Sequence, residues 1–192
     1  ELISFVPELF LANGDEVILE KEYESEDLAN KIHDAVVLLN TRDYISEGTS
    51  QVIDADAISA LNGWPEDLDG VITPHSKELE NWVGSIDAIP DLLVGAEENR
   101  VVVATGSTDI IIGAAGRGGI VEGGNPRMAM GGTGDLLAGC IGGLLGLGLS
   151  PWGASRLATY LLRKAGEVAG EEIGPGLVAE DIPPYLSKAL MG

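Results

Sequence analysis

The stretch GGTGDLLAGCIGGLLGLG (residues 131–148) joins a glycine-rich turn to an apolar run of helical composition. Glycine lets the backbone turn tightly and approach a ligand closely, and the free N–H groups of a helix N-terminus attract anions. Asp135 falls in the first turn of the predicted helix, beside such an anion. An anion-binding turn next to a carboxylate base is what phosphoryl transfer requires. An ordinary capped helix start has the same pattern, so the turn alone leaves both interpretations open.

The predicted helix is unusually rich in glycine. Five glycines follow the turn, at positions 139, 142, 143, 146 and 148. Each interior glycine costs about 1 kcal/mol relative to alanine, so we expect this helix to pack very closely against another surface. Because close helix contacts need small residues, the run also favours a homo-oligomer.

The rest of the chain alternates apolar, β-branched runs with helical patterns. Strands are predicted at residues 35–39, 51–54, 70–73, 100–105, 109–113 and 119–122, and helices at 26–33, 56–61, 76–83, 87–94, 151–173 and 184–190. This order predicts one α/β domain over residues 1–192, with a mainly parallel sheet flanked by helices. In such sheets ligands bind at the carboxyl ends of the strands. We therefore expect residues 54–56, 73–75 and 105–108 to meet the turn at 131–135.

The charge balance restricts the partners. The chain carries 31 acidic and 11 basic residues, for a net charge of −20. Such a surface repels nucleic acid and anionic membranes, so neither is expected as a partner, and backbone N–H groups must do much of the anion binding. The charge also predicts adaptation to high salt, with stability rising between low and molar salt. The single cysteine, Cys140, and the lack of a basic leader at residue 1 predict a cytoplasmic protein.

Four segments occur in an order that resembles the ADP- or ATP-dependent NAD(P)H-hydrate dehydratases, a family of the ribokinase-like superfamily. They are VIDADA (52–57), ITPHSKELENW (72–82), VVVATGSTDIII (101–112) and GGNPRMAMGGTGDLLAGCIGGLLGLG (123–148). The resemblance implies a ribokinase-like three-layer sandwich. It also implies an enzyme that repairs hydrated NADH or NADPH: a kinase-like step phosphorylates the ring hydroxyl at the expense of ADP or ATP, and loss of phosphate restores the double bond. Mg²⁺ is expected with the nucleotide, because it bridges phosphates with few protein ligands.

The resemblance also implies roles for individual residues. Asp135 would contact the ring hydroxyl and act as base, and His75 would contact the substrate. The anion hole would consist of Gly132, Thr133 and Gly134, with Gly134 touching the nucleotide. Further nucleotide-binding or anion-binding positions would be Thr105, Gly106, Ser107, Thr108, Asp109 and Asn125.

Several of these residues have a simpler interpretation. His75 could be an exposed turn residue, residues 105–108 could be a plain hairpin turn, and Asn125 could only shape its loop. Asp54 could be an ordinary loop residue. For Asp56 we prefer the role of a helix N-cap.

The chain departs from the family pattern at several points. Thr105 stands where the family commonly has lysine, and Arg127 is a candidate to replace that charge. Ser76-Lys77-Glu78 replaces the usual Pro-Gly-Glu. The family's first βαβ section is not found, and residues 40–50 are short for a parallel crossover, so we expect a truncation or an omitted segment. Two other functions stay open: a small-molecule kinase for hydroxymethylpyrimidine or a thiazole alcohol, and a non-catalytic nucleotide-binding module.

Overall fold

A five-stranded sheet forms the centre of the structure, a computed structural model that describes residues 50–65, 68–94 and 99–191. Its strands are β1 (Gln51–Ile53), β2 (Gly70–Ile72), β3 (Arg100–Ala104), β4 (Asp109–Gly113) and β5 (Arg117–Val121), in that spatial order. Strands β1, β2 and β3 run parallel, and β3, β4 and β5 pair as antiparallel neighbours. The predicted strand at 119–122 therefore begins earlier, at Arg117.

The helices of the described residues surround this sheet. They are α1 (Asp56–Ser59), α2 (Ser76–Val83), α3 (Ile89–Leu92), α4 (Thr133–Gly146), α5 (Pro151–Ile173) and α6 (Leu186–Met191). Helix α5 begins as its sequence predicts: Pro151 is the first helical residue, and the Ser150 hydroxyl accepts a hydrogen bond from the Gly153 N–H at 3.2 Å.

Two helix predictions need correction. The helix expected at 87–94 is a 3₁₀ turn, Ile86–Ala88, followed by the short α3. Pro90 has no N–H to bond a carbonyl four residues back, so one continuous helix cannot form there. The helix expected at 184–190 is likewise a 3₁₀ turn, Pro183–Tyr185, followed by α6.

The parallel strands are covered on both faces, which explains their continuous apolar runs, whereas the edge strand β5 is partly exposed. One face holds Val71, Val101 and Val103 against α4 and α5, in a core that includes Leu137, Ile141 and several alanines of α5. The other face holds Ile53, Ile72 and Val102 against the layer of α1, α2 and α3, through residues such as Ile58 and Ile89. This confirms the predicted three-layer α/β arrangement.

Some predictions lie outside the described residues. These are the helix at 26–33, the strand at 35–39 and the short link that follows it; the single domain over residues 1–192 also stays a prediction. Within the described ranges, no helix is both long and apolar enough to cross a bilayer.

Candidate functional site

The three polar segments predicted to converge do meet at the carboxyl edge of the parallel strands. Thr73, after β2, donates a hydrogen bond from its hydroxyl to Asp54 Oδ1, after β1, at 2.7 Å. The Thr105 N–H, after β3, donates to the Pro74 carbonyl at 2.9 Å, and His75 and Thr105 form a parallel bridge. The chain thus brings residues 54, 73–75 and 105 to one edge, where α/β sheets bind their ligands.

The glycine-rich turn reaches the same edge. Gly132 is the N-cap of α4 and has a φ of +92°, a conformation that favours glycine. Helix hydrogen bonding starts with the Leu136 N–H, which donates to the Gly132 carbonyl at 3.1 Å. The N–H groups of residues 133–135 therefore have no acceptor within the helix. A Cβ placed on Gly134 would lie 3.8 Å from Asp54 Oδ2, which shows how close the turn lies to β1.

Thr133 adds a side-chain donor to this turn. Its hydroxyl oxygen is buried and has no hydrogen-bond partner within the described part of the chain. A buried hydroxyl without a partner is costly in a folded protein. Together with the N–H groups that have no acceptor within the helix, it gives the start of α4 several donors from which an oxyanion could accept hydrogen bonds.

Carboxylates gather beside these donors. Burial raises the pKa of the Asp54 carboxyl; hydrogen bonds from Thr73 and the Ala55 N–H oppose this, and the nearby Glu78 and Asp135 carboxylates raise it further. Asp135 itself is exposed, in the first turn of α4. The site therefore combines a helix start whose N–H groups have no acceptor within the helix with carboxylates that repel one another, and a cation would relieve that repulsion.

The backbone after β1 is strained. Ala55 has φ +52° and ψ −131°, and a residue in such a region costs about 1–3 kcal/mol. The N-cap role preferred for Asp56 is wrong: Ala55 occupies the N-cap position, and Asp56 is the first residue of α1. Asp54, which the sequence left as a possible loop residue, lies beside the glycine turn, with its Oδ2 3.8 Å from a Cβ placed on Gly134.

His75 is both exposed and locally structured. It is the N-cap of α2: its Nδ1 accepts a hydrogen bond from the Glu78 N–H at 3.0 Å, and Glu78 Oε2 accepts one from the His75 N–H at 2.9 Å. Since Nδ1 is the acceptor, the neutral imidazole carries its proton on Nε2. The side chain is 57% exposed, so a donor is available to a ligand, as the substrate-contact prediction requires.

The turn between β3 and β4 is a hairpin connection, as the simpler interpretation held. Its shape depends on Asp109, which is 6% exposed. Asp109 Oδ1 accepts from the Gly106 N–H at 3.0 Å, and Oδ2 accepts from Arg163 Nε at 2.6 Å. Both carboxylate oxygens are thus engaged inside the protein. Asp109 shapes the predicted nucleotide turn, while Gly106 and Ser107 are exposed.

Sequence reasoning missed Arg163. It looked to Arg127 for the charge that Thr105 lacks, but Arg163, from the middle of α5, donates to the carbonyls of Gly106 and Ser107. The available signal was helical spacing: in the segment TYLLRKAG (159–166), Arg163 shares a helix face with the small residues Thr159 and Gly166. A cation on such a face, once buried, needs acceptors.

Asn125 shapes its loop, as its simpler interpretation held. It is the N-cap of a 3₁₀ turn, Pro126–Met128, and its Oδ1 accepts from the Arg127 N–H at 3.0 Å. Its amide lies so close to α5 that a Cβ on Gly170 would collide with it. Whether Asn125 also contacts a ligand stays a prediction.

A sequence comparison identifies relatives of this arrangement. The family profile described as NAD(P)H-hydrate dehydratase matches residues 28–188. The ADP-dependent (S)-NAD(P)H-hydrate dehydratase of Natrialba magadii is 31% identical over 152 residues, covering 76% of this chain and 56% of that protein. The bifunctional NAD(P)H-hydrate repair enzyme Nnr of Moorella thermoacetica is 36% identical over 152 residues, covering 72% of this chain and 29% of the Moorella protein. The chain thus spans about half or less of these relatives.

Solved structures share the fold. The ADP/ATP-dependent NAD(P)H-hydrate dehydratase of Bacillus subtilis, co-crystallized with ATP/Mg²⁺ and soaked with CoA, superposes with a TM-score of 0.62 at 25% identity, covering 74% of this chain and 56% of that one. A ribokinase from Thermotoga maritima superposes with a TM-score of 0.57 at 13% identity, covering 83% and 54%. The latter likeness shows the fold alone, and confirms the predicted ribokinase-like class.

Proposed function

This chain belongs to the NAD(P)H-hydrate dehydratase family, and we propose that it dehydrates hydrated NADH or NADPH while cleaving ADP or ATP. One observation carries the proposal. The N–H groups at the start of α4 have no acceptor within the helix, and the Thr133 hydroxyl has no partner among the described residues; these donors lie beside the exposed Asp135 at the carboxyl edge of the sheet. The relatives' names agree with this activity. Because the chain spans only part of their length, the activity is proposed for the complete protein.

The first step is a phosphoryl transfer. Asp135 accepts the proton of the ring hydroxyl, whose oxygen attacks the terminal phosphorus of the nucleotide. The bond from that phosphorus to its bridging oxygen breaks, and the nucleotide leaves with one phosphate fewer. The backbone N–H groups of the turn, with Gly132, Thr133 and Gly134, and the Thr133 hydroxyl stabilise the charge on the transferring oxygens. These donors are fixed by the helix before the ligand arrives.

The second step is an elimination. The phosphate formed on the ring leaves with the electron pair of its C–O bond. The neighbouring ring carbon gives its proton to the departing phosphate or to water, and the electron pair of that C–H bond forms the double bond. The same donors at the start of α4 would hold the departing phosphate. We assign substrate contact to His75, whose Nε2–H remains available as a donor, and nucleotide contact to the turn at 105–108 and to Gly134.

A magnesium ion fits this site. Among the described residues no group of three His, Cys, Asp or Glu side chains could hold a metal by itself, but Mg²⁺ bound to phosphates needs one or two protein carboxylates. Asp54 is suited to this, because the neighbouring Glu78 and Asp135 carboxylates add negative potential at its position, which attracts a cation. When bound, the ion would neutralise charge on the nucleotide phosphates. The cytoplasmic location and the homo-oligomer predicted from the sequence stay predictions.

A turnover assay tests the proposal. Hydrated NADH or NADPH is mixed with the full-length protein, Mg²⁺ and either ADP or ATP, and the absorbance of the restored dihydronicotinamide is followed. We expect recovery that depends on one of the nucleotides. No recovery with either nucleotide would overturn the proposal. A phosphorylated alcohol formed from hydroxymethylpyrimidine or a thiazole alcohol would instead identify a kinase.

A further inference from the structure

Arg163 joins two ligand-facing segments that are far apart in sequence. We propose that it is a positioning residue for the nucleotide: it fixes the orientation of the turn at 105–109 and ties it to the loop at 123–128, which leads into the glycine-rich turn. This inference rests on the proposed function, in which the turn at 105–109 contacts the nucleotide. It places the residue that fixes this turn on another element, α5.

The guanidinium group of Arg163 has acceptors in both segments. Its Nε donates to Asp109 Oδ2 at 2.6 Å, and Nη2 donates to the Gly106 carbonyl at 2.7 Å. Its Nη1 donates to the Ser107 carbonyl at 3.0 Å and to the Gly123 carbonyl at 2.6 Å. The residue is 9% exposed. A planar guanidinium can make this set of bonds, and a lysine ammonium, a compact point charge, cannot reproduce it.

These bonds set the direction of the exposed donors in the turn. In a trans peptide the carbonyl and the following N–H point to opposite sides. Since the carbonyls of Gly106 and Ser107 point toward Arg163, the N–H groups of Ser107 and Thr108 point away from it. Arg163 thereby holds two adjacent N–H groups outward, the arrangement by which backbone donors bind phosphate oxygens.

The same helix face holds the second segment. The Gly124 N–H donates to Glu167 Oε1 at 3.1 Å, on the side of the peptide opposite the Gly123 carbonyl. Met128 lies over Gly166, where a Cβ would collide with its sulfur, just as Asn125 lies over Gly170. We call this face, formed by residues 163, 166, 167 and 170 of α5, the α5 platform. Its spacing puts all four on one side of the helix.

Kinetics of Arg163 variants test the assignment. Arg163→Lys keeps the positive charge but loses the planar guanidinium and therefore several charge-assisted hydrogen bonds. We expect the nucleotide KM to rise at least about tenfold as a result. The change in kcat should be smaller, and the KM for the hydrate should not change. Hydrogen exchange should increase in both residues 105–109 and 123–128. Arg156→Met is the matched control, because Arg156 is an exposed arginine of the same helix, over the Trp152 ring. Arg156→Met should change neither the nucleotide KM nor the hydrogen exchange of the two segments.

A second variant separates positioning from stability. Arg163→Met alone leaves the buried Asp109 charge uncompensated, which is strongly destabilising, so it is combined with Asp109→Asn. We expect the pair to recover thermal stability relative to Arg163→Met but to keep the raised nucleotide KM. An unchanged nucleotide KM in both Arg163→Lys and the pair would overturn the positioning role.

The two proposals fail in different ways. If the wild-type protein neither restores the dihydronicotinamide nor binds nucleotide in calorimetry, the proposed function is wrong. Hydrogen exchange would then still report on Arg163: faster exchange of both segments in Arg163→Lys supports the coupling, and unchanged exchange overturns it.

Discussion

The two flanks of the site differ in how their charges are satisfied. On the flank of the α5 platform, the buried Arg163 has four acceptors and the Asp109 carboxylate has two donors. On the flank formed by the starts of α2 and α4, the Glu78 and Asp135 carboxylates lie close enough to raise the pKa of Asp54, and the Thr133 hydroxyl has no partner among the described residues.

The difference assigns separate tasks to the flanks. A buried network whose hydrogen bonds are all made holds loops in one arrangement. Donors without partners and strained backbone destabilise the fold, and they are typically found at ligand-binding sites. The Ala55 conformation and the Asp54 charge belong to the second kind. Substitutions on the α5 flank should therefore lower stability and nucleotide affinity, and some on the other flank should raise stability while they remove activity.

The largest effect is expected for Asp135→Asn. Loss of a general base lowers kcat about 10²–10⁴-fold, while the N–H groups and the Thr133 hydroxyl that we expect to bind the phosphate remain. We expect turnover to collapse and the calorimetric affinity for nucleotide to stay close to that of the wild type. Near-normal turnover would mean that Asp135 only stabilises the first turn of α4.

His75 combines a helix cap with the proposed substrate contact, and two variants separate them. Asparagine is a good N-cap but lacks the imidazole Nε2–H, whereas alanine lacks both. His75→Asn and His75→Ala should raise the KM for the hydrate equally, and His75→Ala alone should lower the free energy of unfolding, by about 1 kcal/mol. The KM for the hydrate and the urea unfolding of both variants check this. A normal KM for His75→Asn would show that His75 acts only as a helix cap.

The sequence predicted the elements of this site better than the contacts between them. The β-branched runs predicted the bounds of β1 to β4 to within one residue, and Ser150-Pro151 predicted the start of α5. Both signals are local in the sequence. Arg163 was missed because its partners lie 40–57 positions away, and nothing local connects them. The conformation of Ala55 was missed for a similar reason: alanine rarely adopts a positive φ, so its sequence predicts none.

The space around a helical glycine differs between α5 and α4. A Cβ on Gly170 of α5 would collide with Asn125, whereas none of the described residues lies within 4 Å of a Cβ on Gly143 of α4. Gly143→Ala should raise the free energy of unfolding by about 1 kcal/mol through helix propensity. Gly170→Ala should lower it by about 1–2 kcal/mol, because overpacking exceeds that gain.

Urea unfolding of both variants checks this pair. Equal stability of Gly170→Ala and the wild type would show that the loop at 123–128 yields easily. A loss of stability in Gly143→Ala would instead show that the glycine-rich face of α4 is packed in solution, as its composition predicts. The molar mass of that variant, measured by light scattering, would then show whether the neighbour is a second copy.

The smallest effect is expected for Asp54→Asn in the ligand-free protein. Burial, together with Glu78 and Asp135, raises the pKa of Asp54 above its ordinary value of 3.8. The folded state therefore binds this proton more tightly than the unfolded state, so stability falls as pH rises from the unfolded to the folded pKa. At pH 7 the full cost of the charge is present. The substitution removes that cost, and the amide oxygen of the new side chain can still accept from Thr73.

Melting temperatures across a pH series test the sign. Asp54→Asn should melt higher than the wild type at pH 7, and the difference should shrink as pH falls through the raised pKa toward 3.8. Turnover with Mg²⁺ and nucleotide should fall at the same time. Asp56→Asn is the matched control, because Asp56 is exposed in the first turn of α1 and its loss should slightly lower stability. A lower melting temperature for Asp54→Asn at pH 7 would contradict the division of tasks between the two flanks, since Asp54 would then be stabilising the fold that it is expected to strain.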